Sequence, residues 1–406
     1  MKISQLSILV KRRYIRVLQI ALLTSVLSVI LLNNVVFLMM RSPDRISTSQ
    51  MIPGWSRIYK PLMYDVVKPD VVSFGYSWVR DLFDPEIAEP LLGKIFFNFG
   101  LSGATSFESM RLIQSSLASH VPEHALLDIR AFRDAPRARL LEHQFDEGIL
   151  HVNRDGSKNT MAPIFRWIKV NTGGAALAFN LRFLNIEQKL RLGAQRETLL
   201  PPYEQRNWAL RAEVIETYRA LIEQTSSSNI AQDKNTYEDL KMSIGLLCEN
   251  DVKVHVYDAP WPCSQPYKVS INQLNILRDL GKTCQSDLTY HMFGYPNAVT
   301  MEGLQEKPGQ SLFYRPDGHP RPTAGQLILT QILNLKGTDA APSLPADFGK
   351  DLLNLPKEQA DLWIKERVAR CEGKWVTGAY QDTISEMNDL FLTWRGGNLI
   401  QLPDSN

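Results

Sequence analysis

Apolar positions fall in three patterns along this chain. The first is a run of 24 residues from Val17 to Met40 that carries no charge. As a helix rising about 1.5 Å per residue it covers roughly 36 Å, more than a hydrocarbon core of about 30 Å. Gln19, Thr24, Ser25, Ser28, Asn33 and Asn34 dilute the run without breaking it. Lys2, Lys11, Arg12, Arg13 and Arg16 precede it, with no acid among the first 16 residues. That asymmetry predicts a cytoplasmic tail over 1–16 and a transmembrane helix over 17–40. A cleaved signal peptide has an apolar core of about 7–15 residues and a small-residue site. This run is longer and LMMRSPDR offers no such site, so an uncleaved anchor is expected. The rest of the chain has no second run of this length. It is expected outside the membrane, in a bacterial periplasm, making a single-pass inner-membrane protein.

The second pattern begins after a polar stretch that reaches to about residue 65. Short apolar runs then alternate with helical periodicity. PDVVSFG (69–75) and KIFFNFG (94–100) read as buried strands closed by glycine. A helix is expected over 106–119 with Ser106 as N-cap and Glu108 in its first turn, and HALLDIRAF (124–132) is a third strand. Strand, helix and strand at this spacing predict βαβ units and a parallel sheet. TYEDLKMSIGLLCEND reads as a helix, VKVHVYDAP (252–260) as a strand, SLFYRP as a short strand or loop, and PTAGQLILTQILNL (322–335) as a final helix. The third pattern, over about 160–235, is helical periodicity without a strand signal, an expected helical insertion into an α/β domain spanning 41–338. KGTDAAPSLPAD is a linker. It leads into a C-terminal extension over 339–406, helical around WIKERVARCE and TISEMNDLFLTW.

Composition narrows the function class. The 406 residues are 44% hydrophobic and 22% charged, ordinary globular usage. Lys plus Arg total 45 against 43 acids, so no basic excess points to nucleic acid. Four cysteines are too few for a disulfide scaffold. A periplasmic setting permits disulfides, and Cys263 and Cys284 flank one loop as the candidate pair. A buried free thiol is the plain alternative, and Cys248 and Cys371 are less readable.

Three segments carry candidate chemistry. Ser77, in FGYSWVRD, stands just past the first strand. Sites in open α/β sheets form beyond the carboxyl ends of strands. A serine on a strand-to-helix turn exposes its hydroxyl beside backbone N–H groups, which suits a nucleophile whose attack creates an oxyanion. FNFGLSGAT (97–105) follows the second strand. Gly100 and Gly103 there allow close backbone approach, and the Gly103 N–H is a candidate oxyanion donor. RPDGHPRPTAG (315–325) places His319 in a loop, with Asp317 two residues earlier to orient its imidazole. Asp128 and Asp258, at the ends of later strands, are rival partners for His319. The other six histidines show no metal-ligand spacing, so neither a metal nor a cofactor is expected.

Taken together, these segments resemble the three blocks of the SGNH hydrolase superfamily, the GDSL-type esterases, in a bacterial membrane-anchored form. GYSW stands in place of Gly-Asp-Ser-Leu, putting Ser77 on the nucleophile. FNFGLSGAT is similar to the second block, with Gly103 on the oxyanion-hole glycine. PDGHPRPTAG is similar to the last block, with Asp317 and His319 completing the triad. The resemblance covers roughly 65–135 and 235–336. It implies a flavodoxin-like three-layer α/β/α fold and a serine esterase or O-acyltransferase acting on acyl esters of an envelope glycan or exopolysaccharide. One departure is clear. The superfamily's oxyanion asparagine after the third strand is absent from LDIRAFRD, where Arg130 is the nearest substitute. Tyr76 and Trp78, beside the nucleophile, are candidate substrate-binding residues together with Arg130. A catalytically inactive scaffold of a polysaccharide assembly or export complex is the alternative function.

Overall fold

A computed structural model describes residues 3–40, 53–132, 146–172, 234–260, 267–284, 287–295, 297, 299–300, 313, 319–335, 341–344 and 348–375. The chain divides into two units. One comprises 1–46 and 160–193, the other 47–159 and 194–406.

The larger unit is built on a parallel five-stranded sheet. Its strands are β1 (Val71–Phe74), β2 (Phe96–Asn98), β3 (His124–Asp128), β4 (Lys253–Asp258) and β5 (Leu288–Met292), in the order β2-β1-β3-β4-β5. The chain thus winds from β1 outward to β2, crosses back to β3 and continues to β5. The reversal lies between β1 and β3, and sites in such sheets form beyond the strands' carboxyl ends there. The first four strands were legible as apolar runs. The third is shorter than expected, because Ile129–Phe132 turns into a 3-10 helix. The fifth, LTYHM, alternates with polar side chains and carried no such signal.

Helices cover both faces. In chain order the described helices of the two units are α1 (Ile3–Met40), α2 (Pro53–Val67), α3 (Ser77–Leu82), α4 (Pro85–Leu92), α5 (Ser106–Ser119), α6 (Ala162–Thr172), α7 (Lys234–Glu249), α8 (Tyr267–Gly281), α9 (Pro322–Ile332) and α10 (Lys357–Trp375), of which α1 and α6 belong to the smaller unit. On one face, α3, α4 and α9 bury Trp78, Leu82, Leu91, Leu327 and Ile328 against Val71, Phe96, Leu126 and Tyr257. On the other, Tyr64 of α2 packs edge-on against Phe97, and Phe99 stacks on Phe74. The supposed polar stretch before residue 65 is therefore corrected: α2 occupies 53–67 and buries Tyr59, Leu62, Met63 and Tyr64. Its pattern was obscured by Pro61 and by polar residues that are themselves buried. The N-cap of α5 is also corrected from Ser106 to Thr105, whose hydroxyl accepts from the Glu108 N–H while the Glu108 carboxylate accepts from Thr105 N–H. Two orphan donors are satisfied at once.

The candidate Cys263–Cys284 pair is corrected as well. Cys248 is bonded to Cys284. The reason is strand direction. Cys248 ends α7 just before β4, and Cys284 follows α8 just before β5. Neighbouring parallel strands start side by side about 4.8 Å apart, so residues leading into them meet. Cys263 lies outside the described residues, and so does the side chain of Cys371.

The C-terminal extension joins the sheet. Leu352 N donates to Tyr290 O at 2.8 Å, and Met292 N donates to Lys350 O. Residues 350–352 thereby line the outer edge of β5, and α10 packs on α8. The segment TISEMNDLFLTW lies outside the described residues.

The smaller unit contains α1 and α6. Within α1, Tyr14–Val35 is long and apolar enough to cross a membrane. The first described helix of the expected insertion, α6, packs against it.

Candidate active site

Ser77 opens α3 two residues beyond Gly75, at the carboxyl end of β1. The turn requires glycine at 75. Its φ is +158°, and a Cβ there would sit 2.4 Å from Val79 Cγ2. The tight turn leaves the Ser77 side chain half-exposed above a buried helix.

His319 comes from the other end of the domain. Its Nε2 lies 3.3 Å from Ser77 Oγ, across 242 residues of sequence. The link is mechanical. α9 begins at Pro322 and packs onto α3 through Gly325, where a Cβ would lie 1.8 Å from the Leu82 carbonyl oxygen. Arg321 N donates to Phe313 O at 2.7 Å and fixes the approach to that helix. The His319 ring also lies against Trp78, with centroids 6.3 Å apart. A hydroxyl within reach of an imidazole is the starting geometry for general-base activation of a nucleophile, and such contacts are often loose before substrate binds. Asp317 lies outside the described residues.

The loop after β2 is tied to the same turn. Leu101 N donates to Gly75 O at 3.0 Å. Behind the loop stand three cations. Lys60 Nζ donates to Gly100 O at 2.7 Å, Arg57 Nη2 to Ser102 O at 3.0 Å and to Gly103 O at 3.3 Å, and Arg80 Nη1 to Ser102 Oγ. Glu108 holds Arg57, and Asp81 holds Arg80. Burial, reinforced by the Arg80 charge, pushes the Lys60 ammonium down to about 7. Gly103 itself is exposed, with φ +60°. Gly100 has a different role from the one expected. A Cβ there would lie 2.1 Å from Arg80 N, so its smallness admits α3 rather than a ligand. Asn98, fully buried at the end of β2, was missed by sequence reasoning. Its Nδ2 donates to the carbonyls of Val79 and Phe83 at 2.9 and 2.6 Å, and its Oδ1 accepts from Gly100 N at 2.7 Å. This one side chain binds α3 to the loop. A lone amide in the aromatic run KIFFNFG was the available signal.

Arg130 lies beneath the aromatic pair that flanks Ser77. Its guanidinium is 4.3 Å from the Trp78 ring centroid and 5.2 Å from that of Tyr76. Its Nε is 3.6 Å from Asp128 Oδ1 and 3.7 Å from Asp258 Oδ1. Both carboxylates are fully buried, and Arg130 is 5% exposed. The two aspartates considered as partners for His319 therefore lie against Arg130. Stacking beside a desolvated cation stiffens Trp78 and Tyr76 and thus the turn between them. Trp78 is buried in the core, which leaves Tyr76 as the member of the pair with surface for a substrate. Tyr257, below this cluster, has its phenol pushed well above 10 by burial and by the Asp128 charge.

Among the described residues, no group of three or more His, Cys, Asp or Glu is placed to hold a metal ion. The chain matches no protein-family model, and no curated protein matches it.

Proposed function

We propose that this chain is a membrane-anchored serine esterase or O-acyltransferase of SGNH type. The observation that carries the reading is the 3.3 Å approach of His319 Nε2 to Ser77 Oγ at the carboxyl end of a parallel sheet. The strand order 2-1-3-4-5 is that of flavodoxin-like sheets, in keeping with this reading.

In the proposed reaction His319 Nε2 takes the Ser77 proton as Oγ attacks an ester carbonyl. The N–H groups of Ser77 and Gly103 receive the oxyanion. Collapse of the tetrahedral species expels the alcohol, which takes its proton from the imidazolium, and leaves an acyl group on Ser77. Water or a sugar hydroxyl then attacks that ester, giving hydrolysis or O-acyl transfer. Asp317, two residues from His319, is assigned to hold the imidazole in the required tautomer. The basic N-terminal tail and the Cys248–Cys284 bond favour an orientation with the sheet domain in an oxidising periplasm, where acyl esters of envelope glycan or exopolysaccharide are the substrates at hand.

A second reading, an inactive scaffold of a polysaccharide assembly or export complex, is favoured by one feature. After β3 the oxyanion asparagine is replaced by Arg130, which is buried between two carboxylates. One oxyanion donor is commonly worth about 10²–10³ in rate.

A fluorophosphonate probe separates the two. Labelling of the full chain that disappears in Ser77→Ala and in His319→Ala supports the enzyme. Folded protein that takes no label, or that labels equally well in Ser77→Ala, overturns it in favour of the scaffold.

A further inference from the structure

We infer that α6 is a second lipid-contacting element, packed beside the anchor. The inference rests on α1 crossing the bilayer and is independent of the proposed chemistry.

The apolar residues of this segment face outward. Met161, Ile164, Phe165 and Ile168 follow the i, i+3, i+4, i+7 spacing of one helical stripe. With Trp167 beside them, these side chains are 38–54% exposed, while Ala162 and Val170 on other sides are buried. An ordinary surface helix turns such a stripe inward. Five large apolar side chains exposed on three turns make a contiguous patch of the kind that marks an interaction surface.

The neighbouring helix identifies the occupant. α6 packs on α1, and the contact lies in the second half of the apolar run Val17–Met40. Val29, Ile30, Leu32, Asn33 and Asn34 are the partly or fully covered positions of a helix that is otherwise exposed from Tyr14 to Val35. Two amides in an apolar span require partners. Asn33 Nδ2 donates to Asn171 O at 3.2 Å, and Asn34 Nδ2 donates to Asn171 Oδ1 at 2.6 Å. Asn171 in turn donates to Trp167 O at 2.9 Å, within α6. The hydrogen bonds therefore hold α6 against the second half of the span. A helix held beside a membrane span with an exposed apolar stripe presents that stripe to lipid acyl chains, with Trp167 as an amphipathic anchor and the exposed Lys169 off the stripe.

The test uses the full chain in vesicles of phosphatidylcholine and phosphatidylglycerol that contain a phosphatidylcholine with a photoactivatable acyl chain. After irradiation, lipid adducts are mapped by peptide mass spectrometry. The inference expects adducts on both 14–35 and 161–172. In a variant carrying Ile164→Ser, Phe165→Ser, Trp167→Ser and Ile168→Ser, the second set should fall by about tenfold while the first persists. Adducts on 14–35 alone, or cross-links from 161–172 to a second copy of the chain in place of lipid, overturn the lipid-contact assignment. Adducts on neither segment overturn it together with the anchor, and leave the Ser77 labelling result unaffected.

Discussion

Lowering the pH from about 7 to about 5 tests the burial of His255. This residue sits on β4, 5% exposed, between His124 on β3 and Thr289 on β5. Its Nε2 is 3.0 Å from His124 Nδ1, and its Nδ1 is 2.9 Å from Thr289 Oγ1. Burial, followed by the nearby charges of His124, His291 and Lys253, pushes its pKa from 6.5 down to about 3. His124 is shifted in the same direction, mainly by burial. The folded-state value lies below the unfolded one, so the unfolded chain binds the extra proton as pH falls. The stability involved is intact above about 6.5 and is lost progressively from there toward about 3. Over the two units from about 7 to about 5, His255 alone removes about 2 kcal/mol, at about 1.36 kcal/mol per unit below 6.5. Urea unfolding of the detergent-solubilised chain, followed by tryptophan fluorescence, measures this. The His255→Gln variant, which stays neutral, should lose about 2 kcal/mol less than the parent over the same interval, whatever its stability at neutral pH. Equal losses in the two proteins would refute the argument that a neutral histidine is being kept from its proton.

Two further substitutions probe the disulfide and the packing behind the site. Cys284→Ala should cost up to about 4 kcal/mol, the loop-closure figure for a separation of 36 residues, whereas Cys263→Ala should leave the Cys248–Cys284 bond in place; non-reducing peptide mapping and thermal melts check both. Gly325→Ala forces a methyl group onto the Leu82 carbonyl and should cost at least about 2 kcal/mol while reducing fluorophosphonate labelling of Ser77; an unchanged melt would show that α9 does not press on α3 as described.

What was legible in the sequence depended on whether the signal was local. Val71–Phe74, Phe96–Asn98 and Lys253–Asp258 announce themselves because buried parallel strands are apolar along their whole length. Ser77 and His319 were found as separate turn residues. Their meeting follows from topology, since loops at the carboxyl ends of parallel strands share one crevice. The cysteine pair went wrong for the same reason turned around: nearness in sequence suggested 263 with 284, but neighbouring parallel strands start side by side and bring 248 to 284. Lys60 and Arg57 were invisible because their role is to satisfy backbone carbonyls of distant segments. No periodicity encodes such contacts. α2 was hidden by the same residues, since a helix that buries Lys60 and Arg57 looks too polar to be part of a core.

The separation of 242 residues between Ser77 and His319 also sets an order of events in time. Ser77 precedes the imidazole in the chain and is synthesised first. At ribosomal speeds of roughly 5–20 residues per second, about 12–50 seconds pass before the imidazole is added. Throughout that interval the nascent polypeptide carries a hydroxyl with no base beside it. Any reactivity that depends on the pair is withheld until translation has passed β5 and α9 has docked.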